Sequence, residues 1–156
     1  MKNISYALAM LLAAFSQGCV DDCHDQYYYD PDNVNSAILA SMENASSHIE
    51  EWTTHKPIFI ADKDAGYCKL EFLYNGEQIT ENDKAIGYSH NWTKNIQVEI
   101  TENHGMNIRV IQHEILHTYG LKHIKNAAGI MYYKAGYLWT DEDQKECEEQ
   151  GVCPIH

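Results

Sequence analysis

Positive charge is scarce in this chain: Arg109 is its one arginine, and 11 basic residues face 23 acidic ones, for a net charge of −12. Such a surface repels phosphate backbones, so no nucleic-acid partner is expected. An acidic balance can favour cationic substrates, though more commonly it keeps an exported protein soluble. Long apolar runs are missing too, since the stretch from Ala7 to Phe15 is too short to span a bilayer comfortably. No repeat or low-complexity tract interrupts the 156 residues, a length that suits one domain with a real core. No C-x-x-C pair is present, which leaves a cysteine-based metal site without support.

What is there begins with an export signal. Met1-Lys2-Asn3, the apolar run and the small residues after it read as a signal peptide over residues 1–18. Gly18 before Cys19 resembles a bacterial lipobox, with Ser16 where that motif usually has leucine. A lipid anchor on a membrane through Cys19 and secretion after ordinary cleavage at Gly18 both fit. Five cysteines are an awkward number for an exported chain. Giving Cys19 to a lipid leaves Cys23, Cys68, Cys147 and Cys153, which permit three pairings; Cys147–Cys153 with Cys23–Cys68 is one of them.

Residues 19–32, including Tyr27-Tyr28-Tyr29, read as an N-terminal arm or linker, with the folded domain at 33–156. Val34, Ile38, Met42, Ala45, Ile49 and Trp52 recur at helical intervals, and Asp32 or Asn33 can cap that helix. Pro57–Ile60, Cys68–Tyr74, Ile86–Trp92 and Ile96–Ile100 read as strands. The loops between them carry Asp62, Asp64, Glu81 and Asp83, which suit solvent or a structural calcium ion. A second helix is expected from about Asn107, with Ile108, Ile111, Ile115 and Tyr119 as its buried stripe and Leu116 on the flank. The last helix should open at Thr140, with Asp143 completing a capping box, and close at Gly151.

Residues 113–123 read His-Glu-Ile-Leu-His-Thr-Tyr-Gly-Leu-Lys-His. His113 and His117 are four apart, so on a helix both imidazoles project from one face and can share a metal. Glu114 sits beside the first ligand, where a carboxylate can take a proton from a metal-bound water. Gly120 can adopt the positive φ that ends a helix and returns His123 to the same metal. Three neutral imidazoles leave a fourth position open, as in a catalytic zinc site. Even allowing for the chain's nine histidines, chance placement of this pattern has a probability on the order of one in ten thousand for the whole chain, which favours a metal site over ordinary helix residues.

H-E-x-x-H-x-x-G-x-x-H is the signature of the metzincin metallopeptidases, and Gly129-Ile130-Met131-Tyr132-Tyr133 resembles their Met-turn. The short link from His123 to Met131, then a helix opening Thr140-Asp141-Glu142-Asp143, is similar to the matrixins. The resemblance implies an α+β, metzincin-like (zincin) domain: a twisted mixed sheet, a long N-terminal helix, the active-site helix, the Met-turn and a C-terminal helix. It implies that His113, His117 and His123 bind zinc, that Glu114 is the general base and that Met131 supports the site from below. Two residues depart from the matrixin pattern. Ile124 stands where the named subfamilies carry a characteristic polar residue or proline. Tyr133 stands where matrixins have proline, and astacins and serralysins place a tyrosine that binds zinc or stabilises the tetrahedral intermediate.

The expected activity is zinc-dependent hydrolysis of peptide bonds in a peptide or protein substrate lying along an exposed edge strand, with His90 to Trp92 among the edge candidates. His90 and His104 are further candidate ligands, with surface roles as the alternative. No propeptide that could hold the site latent is visible, and a monomer is expected. A hydrolase of peptidoglycan peptides and a non-catalytic extracellular binding module on the same fold are the rival readings. The intact Glu114 argues against the second.

Overall fold

The computed structural model describes residues 23–74, 87–90 and 93–154. Within them the chain is α+β, with a five-stranded mixed sheet and three α-helices. The strands are β1 (Gln26–Tyr29), β2 (Ile58–Ala61), β3 (Lys69–Leu73), β4 (Gly87–Ser89) and β5 (Ile96–Glu99). The helices are α1 (Ser36–Trp52), α2 (His104–Thr118) and α3 (Asp141–Gln150). The expected signal peptide, Cys19, and the loop residues Glu81 and Asp83 lie outside the described residues, as do Asn91 and Trp92.

Sheet order is β2-β1-β3-β5-β4. The first three pairings are parallel, and β4 runs antiparallel to β5 at one edge. The placement of β1 corrects the reading of residues 19–32 as an arm, because Gln26–Tyr29 lies between β2 and β3 inside the sheet. Alternation explains it: Tyr27 is fully buried while its neighbours face outward, a period-two pattern that the polar company of the tyrosines concealed.

Helix α1 is capped by Asn35, whose side chain accepts from the backbone N–H groups of Ala37 and Ile38 at 3.0 Å. Asp32 and Asn33 do not cap it. They belong to a separate 3-10 turn over Pro31–Asn33 that Asp30 caps, and Pro31 suits the start of that turn. Ile38, Met42, Ala45 and Ile49 form the expected stripe, and α1 packs directly on α2. Val110, Ile111, Ile115 and Leu116 are buried apolar residues of α2 in the same core.

Helix α2 begins at His104, three residues before the expected Asn107, because Asn103 is the cap. Asn107 is buried and bonds in both directions to Thr101, fastening the end of β5 to the first turn of α2. Those bonds fix where α2 sits relative to the sheet. Helix α3 starts at Thr140 with the capping box completed by Asp143, and ends at Gly151 in the left-handed region, φ 71°.

Disulfides join Cys23 to Cys68 and Cys147 to Cys153, with Cα–Cα separations of 5.7 and 5.3 Å. The first ties the start of the described chain to β3, and the second staples the end of α3. Two disulfides in so small a domain fit an exported, oxidising setting. Among the described residues, no helix is long and apolar enough to cross a membrane.

Candidate metal centre

His113 and His117 project from one face of α2, one turn apart. The helix then stops. Tyr119 caps it, Gly120 takes φ 96°, and the N–H groups of Gly120 and Leu121 return to the carbonyls of His117 and Leu116. A side chain with a Cβ rarely adopts that φ, so glycine is what lets the chain reverse and bring His123 back.

The three Nε2 atoms converge: His113 to His117 is 3.0 Å, His117 to His123 is 3.1 Å, and His113 to His123 is 3.2 Å. Their other nitrogens explain what this means. His113 Nδ1 lies 2.7 Å from the Ile130 carbonyl, and His117 Nδ1 lies 2.7 Å from the Leu121 carbonyl. A carbonyl can only accept, so both Nδ1 atoms carry the proton and both Nε2 atoms present lone pairs. Lone pairs facing one another at this distance repel unless a cation lies between them. Tetrahedral zinc with bonds of about 2.0–2.1 Å places its nitrogens about 3.3 Å apart, close to what is seen. The donor set therefore fits a zinc ion. Among the described residues, these histidines form the group of three or more side chains that could hold a metal.

Electrostatics agree with the geometry. Burial, reinforced by the neighbouring His117, pushes His113 down to about 3 against the hydrogen bond that Nδ1 donates to the Ile130 carbonyl. His117 and His123 are lowered as well, again chiefly by burial. All three are neutral near pH 7 and need lose no proton to become ligands.

Glu114 is buried beside this group, and burial raises its carboxyl to about 8, opposed by a hydrogen bond with the Ser89 side chain. Edge strand β4 closes over it. A Cβ on Gly87 would stand 2.5 Å from Glu114 Oε1 and 2.6 Å from Val110 Cγ1. The strand can approach the carboxylate only because residue 87 has no side chain. Nothing local in the sequence marks Gly87 or Ser89 for this task, since the contact exists only once β4 lies on α2.

Below the histidines, Met131 is fully buried. Its carbonyl accepts from Ile124 N–H at 3.0 Å, so the turn around Met131 is pinned to the residue after His123. A Cβ on Gly136 would strike the backbone carbonyls of Ala128 and Gly129, which keeps this turn tight. Tyr133 is 58% exposed, its ring packing on Tyr132 at 4.4 Å between centroids, with Lys134 Nζ 5.4 Å from the centroid of its ring. Its hydroxyl is lowered, first by the hydrogen bond it accepts from Tyr132 and then by Lys134. His90 packs edge-on against Tyr88 and His104 opens α2; neither belongs to the histidine group. Asp62 Oδ1 accepts from the Asp64 N–H in an exposed turn.

No protein-family model matches the chain, and no curated protein does either. Among solved structures, the chain is similar to a zinc-dependent peptidase from Methanocorpusculum labreanum (strain Z), with a TM-score of 0.53 and 14% sequence identity. That likeness covers 78% of this chain and 98% of the other, and at this identity it establishes a shared fold.

Proposed function

We propose that the protein is a zinc-dependent endopeptidase of metzincin type, in which His113, His117 and His123 hold the metal and Glu114 is the general base. The observation that carries this reading is the convergence of three Nε2 atoms beside a buried carboxylate. The similarity in fold to a zinc-dependent peptidase supports it.

Zinc, when bound, supplies Lewis-acid charge for the scissile carbonyl and makes water acidic enough to attack near neutral pH. Glu114 does the proton work. Its carboxylate takes a proton from the attacking water as the new C–O bond forms, then delivers it to the amine nitrogen as the C–N bond breaks. Positive charge held by the three imidazoles favours the ionised carboxylate, offsetting the burial that otherwise keeps it protonated. The Ser89 hydrogen bond acts in the same direction. The Ile130 and Leu121 carbonyls hold the tautomers that aim Nε2 at the metal.

The substrate lies along β4. This three-residue strand pairs with β5 on one side and closes over Glu114 beneath, so its other side is where an extended peptide would add as a further strand. Tyr133 is assigned to stabilise the tetrahedral intermediate with its hydroxyl.

The test is digestion of a peptide library beside a cell-wall digest, each with wild type and Glu114→Gln and each with and without a chelator. We expect peptide cleavage that the chelator abolishes and added zinc restores. Glu114→Gln should bind zinc normally and cleave about 10²–10⁴-fold more slowly, the range for loss of a general base. Cleavage that survives the chelator, or a fully active Glu114→Gln, would overturn the assignment. Release of wall peptides alone would shift the substrate to peptidoglycan.

A further inference from the structure

Two metal-facing histidines are backed by the same construction, and α3 supplies its outer end both times. The carbonyl of the Ile130–Met131 peptide accepts from His113 Nδ1 at 2.7 Å, and the N–H of that same peptide donates to Asp143 Oδ1 at 2.8 Å. The carbonyl of the Leu121–Lys122 peptide accepts from His117 Nδ1 at 2.7 Å, and its N–H donates to Glu146 Oε1 at 3.0 Å. Asp143 and Glu146 are three residues apart and so share one face of α3. We infer that Asp143 and Glu146 are positioning residues for the metal centre, each acting on one helical histidine through a single intervening peptide.

The physics is that of a carboxylate placed behind a metal-binding histidine, with a peptide inserted between them. A carboxylate accepting from a peptide N–H draws positive charge to that end and leaves the carbonyl oxygen more negative. The oxygen then accepts more strongly from Nδ1–H, which fixes the ring and makes Nε2 a better donor to a cation. Asp143 is fully buried, and its second oxygen is held by the Thr140 N–H at 2.8 Å and hydroxyl at 2.6 Å, so its charge is little screened and cannot turn away. Glu146 is half-buried and also receives Gln150 Nε2, so its influence is smaller.

Glu142 provides a matched contrast on the same helix. It accepts from the N–H groups of Lys125 and Asn126 at 3.1 Å, gripping the same loop by the same kind of bond. The carbonyls of those two peptides belong to Ile124 and Lys125, whereas the histidine rings bond to Ile130 and Leu121. Glu142 thus holds the loop without a relay to a ligand.

The inference rests on the reading that these histidines hold zinc, and its test does not require peptide cleavage. Zinc affinity of the full chain is measured by competition with a chromogenic chelator, alongside the melting temperature of the metal-free protein, for Asp143→Asn, Glu146→Gln and Glu142→Gln. Each substitution removes the charge and keeps one amide oxygen able to accept, though in Asp143→Asn the amide NH2 then faces one of the two N–H donors. Asp143→Asn should weaken zinc binding about 10–100-fold, the range for loss of a partner behind a metal ligand. Glu146→Gln should weaken it less, by about tenfold, the low end of that range, and Glu142→Gln should leave it unchanged. The visible bands of the cobalt(II) form should move for the first two variants and stay in place for the third. Equal losses in all three variants, or lower melting temperatures with unchanged zinc affinity, would make α3 a plain buttress and overturn the inference. If Asp143→Asn does not fold, Glu146→Gln against Glu142→Gln decides alone. A wild type that binds no zinc would sink the zinc reading, and the inference with it; zinc binding without cleavage would sink only the peptidase reading.

Discussion

The two sides of the candidate metal centre are built by different means. Above the histidines, α2 lies against α1 and the sheet through Ile111, Ile115, Leu116 and their neighbours, and Gly87 lets β4 settle on Glu114. That side is positioned by shape. Below them, the chain from Leu121 to Leu138 has little regular structure, and backbone hydrogen bonds together with the α3 carboxylates hold it. Leu121, Ile130 and Met131 of that segment are buried in the core as well, but its backbone is held by polar bonds at named atoms. Placement by apolar packing fails through lost volume or added bulk, whereas placement by carboxylates fails through lost charge, so each side has its own diagnostic substitution.

Gly87→Ala attacks the upper side and should have the larger effect on catalysis. The added methyl group collides with Glu114 Oε1 and Val110, so the carboxylate or the strand must shift. A misplacement of about 1 Å can cost roughly 100-fold in rate, and we expect kcat to fall by about that factor with zinc content intact. Steady-state kinetics with metal analysis checks this; an unchanged kcat would mean that β4 does not set the position of Glu114. On the lower side Tyr133→Phe should be milder. Tyr133 is 58% exposed, so its hydroxyl competes with water, and a hydrogen bond worth about 1 kcal/mol corresponds to roughly a fivefold loss. That loss should fall on kcat with KM nearly constant, because the bond is made to the transition state. An unchanged kcat would remove Tyr133 from the mechanism.

The same division explains what could be read from the sequence. The convergence of the histidine group was legible because its three histidines, the adjacent glutamate and the turning glycine lie in one short segment whose spacing is itself geometry. The α1 stripe, the α3 capping box and the end at Gly151 were legible for the same local reason. Strand β1 was not, since Tyr27 is buried only because β2 and β3 flank it. The start of α2 was misread because Asn103 and Asn107 are both good caps, and only the contact of Asn107 with Thr101 separates their roles. Asp143 was visible as half of a capping box, but its bond to Met131 N–H crosses the fold. Gly87 is likewise silent until β4 meets Glu114.

The most direct measurement is X-ray absorption at the zinc edge, with metal stoichiometry, on protein loaded with zinc and freed of excess. The account predicts one zinc per chain, with three imidazole nitrogens at about 2.0–2.1 Å and a light-atom fourth ligand from solvent. Loss of one imidazole shell in His123→Ala would place the third ligand where Gly120 returns it. A metal bound through sulfur, or zinc binding that survives unchanged in His123→Ala, would contradict the account.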